Sequence, residues 1–83
     1  MMDEIGEFVN DIAHDDFRKL LGVMGEEWGW ILSGHMEPHL ISRVRADLEK
    51  MQFIPKKLIA TDEAVLLFIG IATKRALSKG DRH

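Results

Sequence analysis

At 83 residues the chain has room for one domain, and one this short buries only about 60–65 % of its unfolded surface, so tight packing or a partner must supply stability. A hydrophobic share of 46 % excludes a disordered chain. The absence of cysteine excludes a disulfide framework, a thiolate nucleophile and a cysteine metal site, and suits a reducing compartment. The net charge of −3 is unevenly spread: residues 1–36 hold eight acids against Arg18 and Lys19, a balance of −6, while residues 37–83 hold nine bases against six acids, a balance of +3. Such asymmetry suits a basic face turned to a polyanion, head-to-tail pairing of two copies, or two solvated faces of opposite sign.

Asp3 is the expected N-cap of a first helix, with Glu4 and Glu7 near its positive end. Ile5, Phe8, Val9, Ile12 and Ala13 recur at steps of three and four and predict one apolar stripe. The period continues through Phe17, Leu20, Leu21, Met24, Trp28, Ile31 and Leu32. A break is expected at His14 to Asp16, where Asp15 caps a second helix running from Asp16 to about Ser33. At 100° per residue Gly22, Gly25, Gly29 and Ser33 share a narrow strip on that helix. Each glycine costs a helix about 0.5–1 kcal/mol relative to alanine, so the three imply either close approach of another backbone or a break near Gly22 or Gly25. Val23 and Trp30, seven apart on the face opposite the strip, are the candidate partner-binding pair; the alternative is that the first helix covers Trp30.

Ser33 to Pro38 reads as a tight connection, with Gly34 as a left-handed C-terminal cap and Pro38 in the first turn of a third helix. That helix runs to about Met51. Leu40, Ile41, Val44, Leu48 and Met51 form its buried stripe, while His39, Ser42, Arg43, Ala46 and Lys50 form an outer basic face with Arg45 and Asp47 at the margins. Gln52 to Ala60 is a connector, with Pro55 disfavouring helix at Ile54 and with Leu58 and Ile59 tucked under the core. Ala64 to Ala72 is apolar on every side. A cap at Thr61 or Asp62, acids at Asp62 and Glu63, cations at Lys74, Arg75 and Lys79 and a stop at Gly80 predict a central buried helix. The alternative is a strand paired back onto Phe53 to Ala60, although TDEA lacks the glycine or asparagine of a tight hairpin turn. The expected fold is therefore all-α, a compact domain of four helices.

In the order Ile41-Ser42-Arg43, Leu48-Glu49-Lys50, Phe53-Ile54, the segment from Pro38 to Ile54 resembles the recognition segment of winged-helix and helix-turn-helix regulators. The resemblance implies a winged helix with a C-terminal β-hairpin as the alternative fold. It would place His39, Ser42 and Arg43 at the DNA-facing end of a recognition helix and Lys56 and Lys57 near a wing or on phosphates, with Lys50 on the same outer face. Arginine bonds guanine in the major groove and lysine neutralises phosphates.

Chemistry is not expected. His35 and His39 flank Glu37, but Gly34 and Pro38 keep them off one regular helical face, and a metal needs a third converging ligand such as His14. Asp15 with Asp16 and Glu26 with Glu27 are adjacent pairs that diverge on a helix, unlike an acid and base couple. No basic-then-apolar leader opens the sequence, and the longest apolar run, Ala64 to Ala72, is under half the roughly 20 residues of a membrane span. The functional expectation is a cytoplasmic regulatory or inhibitory interaction module, a homodimer that binds a protein partner without catalysis, cofactor, metal, membrane or small-molecule substrate. DNA binding through the 37–57 segment is the alternative, and competition of the acidic first half for a partner's basic groove is a third.

Overall fold

The last helix, apolar on all sides, sets the architecture. The computed structural model describes residues 2–23 and 25–78, and among these there are five α-helices and no strand: α1 (Met2–Asp11), α2 (His14–Gly22), α3 (Glu26–Leu32), α4 (Pro38–Glu49) and α5 (Asp62–Ser78), with a 3₁₀ turn at Lys56–Ile59. Met24, Lys79 and Gly80, expected as a core position, a last-turn cation and a helix stop, lie outside the described residues. The chain is all-α as expected, and the winged-helix alternative is corrected: residues 53–72 form the 3₁₀ turn and most of α5, not a hairpin. Helix wins there because Thr61 caps it, its Oγ1 accepting the Ala64 N–H at 3.1 Å, and Asp62 and Glu63 fill the first turn.

Helix α5 packs against α1, α3, α4 and the 3₁₀ turn, burying Ala64, Val65, Phe68, Ile69 and Ala72. Ile5 and Val9 meet it from α1, Phe17 and Leu20 come from α2, Trp28 and Ile31 from α3, and Ile41, Val44 and Leu48 from α4, while Leu58 and Ile59, as predicted, and Ile54 close the core from the connector. Leu40 and Met51, expected on the buried stripe of α4, are half-buried against this core. The radius of gyration, 11.6 Å, equals the roughly 12 Å of a close-packed domain this long.

Three boundaries move. Asp3 lies inside the first turn of α1, not at its cap. The break expected at His14 to Asp16 falls at Ile12 and Ala13, with Ala13 extended at the start of α2, so Asp15 and Asp16 stand in the first turn beside the positive helix end and Asp15 is not the cap. The helix expected from Asp16 to Ser33 is two helices. α2 stops at Gly22, Val23 caps it, Gly25 is extended, and α3 restarts at Glu26. Three glycines in one helix would together cost about 1.5–3 kcal/mol, and the break frees Gly25 from helical conformation.

The α3–α4 connection follows expectation. Gly34 has φ +104°, its N–H donates to the Ile31 carbonyl at 3.0 Å, and the His35 N–H donates to the Trp30 carbonyl at 2.9 Å. This paired closure of the last turn needs a left-handed residue that only glycine adopts without strain. Pro38 then opens α4, where its missing N–H is harmless.

Two arginines tie the elements together. Arg75 is 7 % exposed, and its Nη1 donates to the carbonyls of Val9 at 2.8 Å and Ile12 at 3.1 Å while its guanidinium lies 4.0 Å above the Phe17 ring. It thus satisfies carbonyls that the end of α1 leaves without helical partners and covers the α1–α2 break. Arg45 donates from Nε to the Ile59 carbonyl at 3.0 Å and from Nη2 to Asp62 at 2.6 Å, joining α4 to the 3₁₀ turn and the start of α5.

Candidate binding surfaces

The break between α2 and α3 dissolves the small-residue strip. Gly22 ends one helix, Gly25 lies between helices and Gly29 belongs to the next. A methyl group built on Gly22 or Gly29 would meet nothing within 4 Å, and one on Gly25 would meet only the flexible Glu27 carboxylate at 3.3 Å. Within this chain, therefore, no backbone makes the close approach that the strip was expected to permit.

Val23 and Trp30 are divided by the same break. Val23 is half-buried in a groove between the ends of α2 and α4, which it lines with Lys19, Asp47, Lys50, Met51 and Phe53. Trp30 is 51 % exposed on α3 and is not covered by α1; its ring meets His35 edge-on, with centroids 4.9 Å apart. Two neighbours in sequence are also exposed: Leu32, expected on the buried stripe, at 49 %, and Met36 at 55 %. Helix α3 ends at Leu32, and with Trp28 and Ile31 turned into the core, the helical wheel directs Trp30 and Leu32 about 160° apart. The two therefore face opposite ways, and Met36 follows in the loop, so this corner of the molecule exposes three separate apolar side chains rather than one continuous patch.

The outer face of α4 carries the other candidates. His39, Ser42, Arg43 and Lys50 are all exposed, and so are Lys56 and Lys57 in the 3₁₀ turn. The bases are interleaved with acids of the same chain: Arg43 stands 3.5 Å from Glu27, Arg45 is held by Asp62, and Lys57 is 3.2 Å from Glu4. His35 sits 3.6 Å from Glu37, while His39 lies on the first turn of α4. Among the described residues no group of three His, Asp or Glu side chains is arranged to hold a metal ion, and no helix is long and apolar enough to cross a membrane.

A further concavity was not foreseen. Phe8 and Ile12, expected in the stripe of α1, are only half-buried and, with Pro55 and Leu58, floor a groove between α1 and the connector. Glu4, Glu7 and Asp11 stand along one side and Lys57 on the other. The signal was in the sequence: with Ile5 and Val9 at the centre of the buried arc, Phe8 falls at its edge and the three acids within a 60° arc beyond it. That the connector would form the second wall was not readable from local pattern. The protein defined by these features is a small all-α domain with an apolar corner, a mixed-charge α4 face and an acidic-edged groove. No family model, curated protein or solved structure matches the chain.

Proposed function

We propose that the chain is a non-catalytic cytoplasmic interaction module, regulatory or inhibitory in effect, that binds a protein surface through Trp30 at this corner, and that a second copy is one such partner. The observation that carries the reading is the half-exposed Trp30, held edge-on by His35 at a closed helix end. A large aromatic fixed in orientation loses little rotamer freedom on binding, and tryptophan is enriched among residues that dominate interface energy.

The test is sedimentation at tens of micromolar with the unaltered chain and Trp30→Ala. The expected outcome is a dimer that the substitution dissociates while the fold persists, since Trp30 lies outside the core. A monomer at that concentration, together with host partners captured equally well by Trp30→Ala, removes the proposal.

Duplex DNA is the second reading, favoured by the exposure of His39, Ser42, Lys50 and Lys56 on one side of α4 and its connector. Less charge is available to it than the sequence promises, because Arg43, Arg45 and Lys57 each stand beside an acid of this chain. A salt-sensitive shift of duplex DNA at low ionic strength, weakened by Lys56→Ala and relaxed in sequence preference by Arg43→Ala, would favour it over the corner; no shift removes it.

A further inference from the structure

We infer that the groove between α1 and the connector is a docking site for a basic amphipathic helix of a partner protein. No residue of the Trp30 corner lines this groove, so the inference goes beyond the proposed function and fails separately from it. Its floor is apolar: Phe8, Ile12 and Pro55 are left partly uncovered by the chain itself, with the buried Leu58 beneath them. From Glu4 to Ile12 the groove follows α1 for about 12 Å, the length of roughly two helical turns. A helix laid along it would set apolar residues at i, i+3 or i+4, and i+7 onto the floor, the common geometry of helix-in-groove recognition.

The edge decides the sign of the occupant. Glu4, Glu7 and Asp11 line one side; Lys57 stands beside Glu4 across the groove, while Glu7 and Asp11 have no cation partner among the described residues. A lysine or arginine flanking the apolar stripe of the incoming helix would reach Glu7 and Asp11 directly and would compete with Lys57 for Glu4. The Lys57–Glu4 pair has side chains 74 % and 58 % exposed, so giving it up costs little. The same carboxylates repel a nucleic acid or an acidic peptide. A second copy is a poorer fit, because its basic side chains on α4, Arg43 and Arg45, already face acids of their own chain. Its Lys50 and Lys56 stand at a helix end and in a 3₁₀ turn rather than along an exposed apolar helical stripe.

The probe is a labelled synthetic peptide of leucine and lysine in an amphipathic helical pattern, titrated with the full chain and read by fluorescence anisotropy at about 0.1 M salt, where surface charges are screened beyond roughly 10 Å. Saturable binding is expected, lost at least tenfold in Glu7→Lys/Asp11→Lys. Both positions are exposed, and a lysine at Asp11 suits the negative end of α1, so circular dichroism should report an unchanged fold. Lys57→Ala, which removes the internal competitor, should tighten binding a few-fold, whereas Lys56→Ala should leave it unchanged. Three outcomes would overturn the inference: equal binding of a serine and lysine peptide of the same charge, which marks diffuse attraction; equal loss on reversing Glu49 and Glu63, which lie outside the groove; or self-association of the unaltered chain that Glu7→Lys/Asp11→Lys abolishes, which makes a second copy the occupant.

Discussion

The α1–α5 side and the α2–α3 side of this molecule solve the same problem with unequal completeness. On the first, Ile5 and Val9 are fully buried, Phe8 and Phe68 pack with ring centroids 6.2 Å apart, and Arg75 reaches across to satisfy the carbonyls of Val9 and Ile12. On the second, the chain breaks between two short helices, Trp28 is buried with its Nε1 lacking a hydrogen-bond partner among the described residues, and Trp30 stands in solvent. The difference teaches where the fold is most completely matched. On the first side the carbonyls at the end of α1 are matched by Arg75, whereas on the second a buried indole N–H has no partner among the described residues and the chain breaks at Gly25.

If the α5 side carries the stability, truncation there has the largest effect. Phe68→Ala should lower unfolding free energy by about 3–5 kcal/mol, a major part of the roughly 4–12 kcal/mol expected for a chain of this length. Chemical denaturation followed by circular dichroism checks it. A loss below about 1 kcal/mol would show that the site collapses freely and that the support lies elsewhere.

Next in size is Arg75→Met. Methionine keeps length and burial but leaves two main-chain carbonyls without their donor, and each buried unsatisfied group costs about 1–3 kcal/mol. With loss of the contact over Phe17, a destabilisation of about 2–4 kcal/mol is expected, and Arg75→Lys should recover only part because one ammonium lacks the spread of the guanidinium. Amide hydrogen exchange supplies the second measurement: the end of α1 and the start of α2 should lose protection before α4 does.

Arg75 also marks the limit of what the sequence made legible. Local pattern revealed the helical class, the cap at Thr61, the Gly34–Pro38 connection, the tucked Leu58 and Ile59 and the helix from Asp62, because each rests on residues within one or two turns of each other. The all-round apolar run overstated burial, since α5 turns Ala64, Val65, Phe68, Ile69 and Ala72 inward and leaves Leu66, Leu67 and Ile71 half-buried and Gly70 exposed. Arg75 looked like a last-turn cation beside the helix dipole. Its partners are 66 and 63 residues away, and nothing in the local sequence names a carbonyl as a ligand. The break at Gly22 to Gly25 was one of two readings, since the apolar period ran through it unbroken and only tertiary packing separates Trp28, turned inward, from Leu32, left outside. Among the candidate sites, exposure of the outer α4 face followed from the helical wheel, while exposure of Trp30 was one of two readings and rested on a continuous helix that the structure breaks. The acidic-edged groove did not, because its second wall comes from a connector more than forty residues downstream.

A smaller effect, of opposite sign, separates the two meanings of the glycines. Gly29 sits inside α3 with open space where a side chain would begin. Gly29→Ala should therefore raise stability by about 0.5–1 kcal/mol through the cost that glycine imposes on a helix. The same variant sharpens the partner question. A dimer that survives it excludes Gly29 as a point of close backbone contact, while a dimer lost with the monomer stabilised would restore that role through the second copy.

The smallest expected change falls on Trp28. Replacing a buried tryptophan by phenylalanine ordinarily loses stability with the volume removed. Here the indole N–H is buried without a partner, and removing such a donor returns about 1–3 kcal/mol of desolvation penalty. The two effects oppose each other, so Trp28→Phe should lie within about 1 kcal/mol of the unaltered protein, whereas Trp28→Ala should lose about 3–5 kcal/mol. Denaturation of both variants checks the pair. A loss above about 2 kcal/mol for Trp28→Phe would mean that the N–H is satisfied in solution, by a water molecule or by residues outside those described. The α2–α3 side would then be as completely matched as the α5 side, and the division drawn between the two halves would rest on the exposed Trp30 alone.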